Sequence, residues 1–202
     1  MNKKIVQCCL AAGLMMASGF SLADDAFVQQ AKTAIAKATA PVTTWDGPTQ
    51  GPALQPNKKI IFIASDMKNG GVLGVKEGLE EAVKAAGWQL DVLDGAGSVK
   101  DQLAALNQAI ARKPDGIVIG GWNPNVAKIP LKKAVKEGIV LTAWHAVPAP
   151  GPVPAYNIFY NVTSDSNDVS RIAALYTVAK SNGTAKVLIF TDSLYQLSLI
   201  HI

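Results

Sequence analysis

The sequence predicts an α/β fold, a doubly wound parallel sheet forming one nearly complete lobe and the start of a second. Three observations predict it. Short, continuous, β-branched runs such as "KKIIFIAS", "DGIVIGG" and "IVLTAWHA" lack polar alternation, the pattern of strands buried on both faces. Amphipathic stretches of helical period separate them, and these close on Gly87 and Gly138, where a glycine ends a helix without strain. Strand and helix alternate strictly along the chain, which is the order of βα crossovers.

The elements follow in order from residue 24. "DDAFVQQAKTAIAKATA" places Phe27, Ala31, Ile35 and Ala38 on one helical stripe, with Asp24 and Asp25 favourably at its N-terminus. A Pro/Gly-rich strap, "PVTTWDGPTQGPALQPN", completes a segment 24–57, and its Trp45 is expected to anchor the strap on the lobe surface. The lobe proper spans 58–160. It begins with "KKIIFIAS", the helix "NGGVLGVKEGLEEAVKAAG", the strand "WQLDVLDG" and the helix "SVKDQLAALNQAIARK". A third unit, "DGIVIGG" with "NPNVAKIPLKKAVKEG", leads into "IVLTAWHA". After a Pro-rich loop, "NIFYNVTSD", the helix "SNDVSRIAALYTVAKSNG" and the strand "AKVLIFTDS" begin another unit, so 161–196 is expected to open a second lobe.

The two ends read differently from the middle. Lys3 and Lys4, the apolar run "IVQCCLAAGLMMASGF" and the small-residue site "SLA" describe a cleavable secretory signal over 1–23, which places the protein in the periplasm. No later stretch reaches the roughly 18 uninterrupted apolar residues of a membrane-spanning helix. At the far end, 197–202, "LSLIHI", fits no continuation of the pattern. Translating CTG TCT CTT ATA CAC ATC gives these residues, and that string resembles a transposon-end adapter, so this tail is expected to be non-native, with an ordinary apolar C-terminus as the alternative.

Composition removes several classes of function. Both cysteines, Cys8 and Cys9, lie in the signal, which excludes disulfides, thiolate metal sites and cysteine nucleophiles from the rest of the chain. Taking Lys3 and Lys4 from the 19 Lys and Arg leaves 17 against 15 Asp and Glu, a net charge of +2 without basic runs. Electrostatic binding of nucleic acid therefore has little support. "NGGVLGVKEG" and "DGAGSVKD" sit where phosphate-binding loops would, but neither is a G-x-G-x-x-G or a P-loop. No G-x-S-x-G nucleophile elbow is present, and the carboxylates are scattered over helices. These readings predict no catalytic residue, no metal and no cofactor, and the protein is not expected to be an enzyme. Asn161-Val-Thr163 and Asn182-Gly-Thr184 match the glycosylation sequon, a signal too common to carry weight alone.

Ligands of open parallel sheets bind beyond the carboxyl ends of the strands. Those ends are Ser65, Asp66 and Asn69 after the first strand, Gly121, Trp122 and Asn123 after the third, and Trp144 with His145 after the fourth. Two indole faces and short polar side chains on one rim suit a small polyhydroxylated ligand, the alternative for both indoles being plain packing. With His201 in the tail, His145 is a lone histidine, which makes neither a zinc site nor a relay. A hydrogen-bonding role on the rim is the expectation.

From about Lys58 to Ser193 the chain resembles the type I periplasmic solute-binding proteins of ABC importers, in the ribose and galactose group. "KKIIFIAS", "NGGVLGVKEGLEEAVKAAGW", "ALNQAIARKPDGIVIGG", "AVKEGIVLTAW" and "VTSDSNDVSRIAALY" carry the resemblance through their order and spacing. The resemblance implies two lobes that close by a hinge on a sugar-like solute, then deliver it to an inner-membrane ABC permease, with a monomer as the full-length form. It places Asn69 at a sugar contact and Ser164 at the first crossing between lobes. Where the family usually carries an aromatic pair after that Asn, this chain has Gly70, Gly71 and Val72, and where an Asp commonly ends the fourth strand it has Trp144. The implied pocket relocates the stacking plate from the first helix to the fourth strand. A sensor that presents the solute to a chemoreceptor or kinase is the alternative. A secreted α/β enzyme is less favoured, and a lactose-repressor-type regulator is opposed by the signal segment.

Overall fold

The computed structural model describes residues 24–45 and 47–190; the expected signal at 1–23 and tail at 197–202 lie outside them. Helix α1, Asp25–Ala38, starts where the Asp24 carboxylate accepts from the Ala26 amide at 3.2 Å, with Asp25 in its first turn and Lys37 in its last. Its buried side is Val28, Ala31 and Ile35, whereas Phe27 is 44% exposed. The buried stripe therefore differs from the expected one, taking in Val28 in place of Phe27, and α1 packs against the helix Ser166–Ser181 described below. The strap over 39–57 is exposed almost throughout. Trp45 is 74% exposed and folds back on its own turn, donating its indole N–H to Pro48 O at 3.2 Å. It does not anchor the strap. That role falls to Trp88, whose indole N–H donates to Gln55 O at 2.7 Å.

The sheet then assembles as β1 (Lys59–Ala64), α2 (Gly70–Ala86), β2 (Gln89–Asp94), α3 (Val99–Ala111) and β3 (Gly116–Gly120). A 3-10 turn at Pro124–Ala127 leads to α4 (Lys128–Lys136) and β4 (Val140–Trp144). β5 (Gly151–Val153), β6 (Ile158–Val162) and α5 (Ser166–Ser181) follow. Helix starts are fixed by side chains: Ser98 Oγ accepts from Asp101 N at 3.1 Å, and Asp165 accepts from Asn167 N and Asp168 N. Gly87 closes α2 in the left-handed region at φ 68°, a conformation glycine adopts without a Cβ clash.

The six strands run in the order β2-β1-β3-β4-β6-β5, all parallel except β5, which pairs antiparallel with β6. Order reverses between β1 and β3, so the carboxyl ends of those two strands flank the switch point of a doubly wound sheet. Ile61, Ile63, Ile117, Ile119, Leu141 and Ala143 form one face of the core with Leu106 and Ile110 of α3 and Leu131 of α4. Phe62 and Ala64 face the other way, toward Val72, Val75 and Leu79 of α2. Burying each such aliphatic side chain contributes about 1.5–3 kcal/mol. Strand ends opposite the switch point are tied by Asp115, which accepts from Lys58 Nζ at 2.9 Å and Lys59 N at 2.8 Å.

Two features depart from the expected order. Ile158–Val162 extends the first sheet beside β4, so the sheet runs on past residue 160 and the chain leaves it at 163–165. The expected strand at 185–193 does not form over its described part, 185–190, residues 191–193 lying outside the described residues: 185–190 pair with no described strand, and Val187, Leu188, Ile189 and Phe190 stand exposed. A strand needs a neighbour to satisfy its amides, and none of the described residues supplies one. α5 instead packs against α1.

Candidate ligand-binding rim at the switch point

At the carboxyl edge, register places Ala64, Gly120, Trp144 and Val162 side by side across β1, β3, β4 and β6. Gly120 has no Cβ because Phe62 occupies that space from below. Trp144 is half-buried and packs on the Phe62 side of the sheet, against the core under α2. Its ring meets His145 at 4.5 Å between centroids with the planes 52° apart, a tilted aromatic pair.

His145 sits at φ 47°, an uncommon conformation for a side chain larger than glycine or asparagine, held by its amide donating to Val162 O at 3.0 Å. Burial holds its imidazole below the ordinary value of 6.5, which keeps it neutral near pH 7. The loop that follows is pinned from β6. Asn161 is fully buried, accepts from Ala146 N at 3.1 Å, and donates to Val147 O at 2.9 Å and Ala149 O at 2.8 Å. That sequon asparagine is thus a clamp for the Pro-rich loop, with its amide committed and inaccessible to a glycan.

Asn69 caps α2, its Oδ1 accepting from Gly71 N at 2.8 Å and Val72 N at 3.2 Å. This sets the α2 N-terminus against Trp144: a Cβ placed on Gly71 would lie 3.8 Å from Trp144 Cη2, and one on Gly70 would meet nothing within 4 Å. Where the resemblance implies aromatic side chains, the rim is open at Gly70, while Asn69 and Trp144 border Gly71. Gly121, at φ 78°, closes the other side, 3.2 Å separating its would-be Cβ from Trp144 Cζ3.

The remaining candidates fall elsewhere. Trp122 is 3% exposed, belongs to the core beneath α3 and α4, and donates its indole N–H to Ile63 O at 3.0 Å. The expectation of a second rim indole is corrected: the left-handed Gly121 turns the chain and sends Trp122 to the opposite face. Asn123 caps the 3-10 turn through Asn125 N at 3.0 Å. Asp66 makes a tight turn with Lys68 N at 2.8 Å and lies against Gly97 at the β2 end. Ser164 is exposed on the segment between β6 and α5. A further residue at this rim, not among the expected site residues, is Ser65, whose Oγ is buried beside Gly121 and has no hydrogen-bond partner among the described residues. Its place at the strand end was the available signal. Among the described residues no cluster of three or more His, Cys, Asp or Glu is placed to hold a metal ion, and no helix is long and apolar enough to cross a membrane.

Trp144, the N-terminus of α2 and the open space at Gly70 lie together at this edge of the doubly wound lobe. The periplasmic binding protein domain family matches residues 60–199, and the chain belongs to that family. No curated protein matches the chain. Among solved structures, a sugar ABC transporter protein from Yersinia enterocolitica is similar at a TM-score of 0.64 and 19% identity, over 76% of this chain and 47% of its own. GanP, a glucose-galactose binding protein from Geobacillus stearothermophilus, is similar at 0.62 and 20% identity, over 73% and 52%. An ABC transporter solute-binding protein from Agrobacterium vitis with bound allitol is similar at 0.59 and 24%, over 74% and 49%. The chain spans about half the length of each, and at these identities the likeness is one of fold.

Proposed function

We propose that the protein is the periplasmic substrate-binding component of an ABC importer, capturing a small, uncharged, polyhydroxylated solute. The observation that carries this reading is Trp144, a half-buried indole at the rim, close to Gly71 and to the open space at Gly70. An indole beside an uncluttered rim binds the apolar face of a sugar ring or polyol by stacking. A neutral His145 and the capping Asn69 add directional polar groups without a net charge. The lobe of residues 58–162 supplies one wall of the cleft, and a second lobe beginning near 163 supplies the other. Closure of the two about that crossing traps the solute, and the closed form docks on a membrane permease. The family match and the sugar-binding neighbours support this reading. In the full-length protein, titration calorimetry with D-galactose, D-arabinose and allitol tests it. Binding that weakens in Trp144→Ala supports the reading, and affinity unchanged by that substitution sinks it.

A further inference from the structure

Ser65 closes β1 at the switch point, and its backbone is fully engaged: its amide donates to Gly120 O at 2.7 Å and its carbonyl accepts from Gly97 N at 2.8 Å. The residue is 4% exposed, and its hydroxyl is buried with no hydrogen-bond partner among the described residues. A hydroxyl taken out of water and left unpaired destabilises a fold, and alanine fills the same volume without that cost. The surroundings say where the missing partner enters. A Cβ on Gly121 would lie 3.2 Å from Ser65 Oγ and 3.2 Å from Trp144 Cζ3, so only a glycine separates the hydroxyl from the edge of the rim indole.

We propose that Ser65 Oγ, which no described residue pairs, is a ligand hydrogen-bonding group that the ligand reaches by displacing the edge of Trp144. The inference rests on the reading of the rim as a solute site. A serine hydroxyl both donates and accepts, so it pairs with a ligand hydroxyl in either sense. Trp144 then has two roles: its face stacks on the ligand, and its edge covers the polar seat until a ligand arrives. Binding energy from the new hydrogen bond is gained only in the bound state, since the unbound state carries the orphaned group.

The test uses the full-length protein and its Ser65→Ala and Trp144→Phe variants, with allitol, D-arabinose and D-galactose as probes. Melting without sugar and calorimetric titration are measured for each. The expected result is that Ser65→Ala melts at or above the wild-type Tm while its Kd for the bound sugar rises about tenfold. Sugar should also change the tryptophan emission of wild type and Ser65→Ala, and the change should vanish in Trp144→Phe. A lower Tm for Ser65→Ala overturns the proposal, because the hydroxyl would then be serving the fold, and so does an unchanged Kd. If the wild type binds none of the three sugars, the sugar reading of the cleft fails with them, while the melting comparison still stands: a lowered Tm for Ser65→Ala overturns the unpaired hydroxyl independently.

Discussion

Trp122 and Trp144 end neighbouring strands yet lie on opposite faces of the sheet. Trp122 packs with Ile61 and Ile63 and bonds Ile63 O, whereas Trp144 packs with Phe62 and Ala64. The two indoles divide the labour: one holds the core together, and the other faces the rim. Trp122→Ala should cost about 3–5 kcal/mol of stability. Trp144→Ala should cost less stability but weaken solute binding by about 1–3 kcal/mol. Urea unfolding and calorimetry on both variants check the division, and a larger stability loss at Trp144 would contradict it.

Acid should destabilise the fold through His145. Its folded-state pKa is lowered by burial, so above the ordinary 6.5 both folded and unfolded forms are neutral and nothing is lost. As pH falls below 6.5 the unfolded chain takes up the proton first, and stability declines until the folded-state pKa is reached. His145→Asn tolerates the same positive φ and lacks the titrating ring, so this decline should disappear. Asp115 acts in a lower window: the hydrogen bond from Lys58 lowers its pKa, and its contribution is lost only below about pH 4. Thermal melts between pH 5 and 7 separate the two.

Asn161→Ala removes the clamp on the Pro-rich loop and leaves Ala146 N, Val147 O and Ala149 O without their partner. A loss of about 1–3 kcal/mol is expected, since unpaired buried groups are costly. Limited proteolysis should cut first near Val147–Ala149 in the variant. Equal cleavage rates in variant and wild type would show that the loop is held by other contacts.

α1 lies outside the region matched by the family, yet it packs on α5 inside it. Ala31 is fully buried in α1, so Ala31→Glu should undock the helix by burying an unpaired charge. Hydrogen exchange should then speed up over 25–38 while β1 and β3 keep their protection. If the α1 amides exchange as slowly as before, the α1–α5 contact does not hold the helix.

Much of this protein follows from the sequence alone, because the signals involved are local. Unbroken apolar runs gave buried parallel strands, period-3.6 stretches gave the helices, and Gly87 and Gly138 marked helix ends by chemistry that acts over three or four residues. Trp144 could be placed at a strand's carboxyl end from its position in "IVLTAWHA". Only the tertiary structure decided which way groups point once the chain leaves a strand. Past the left-handed Gly121 the alternation of faces no longer applies, and Trp122 finds its partner, Ile63, 59 residues away. Trp45 stands out in solvent while Trp88 holds the strap, α1 buries Val28 in place of Phe27, and the apolar run at 185–190 stays unpaired. The clamp at Asn161 and the orphaned hydroxyl of Ser65 likewise depend on neighbours remote in sequence. Periodicity fixes which elements form, but contacts across the sheet fix which side chains are left facing the rim.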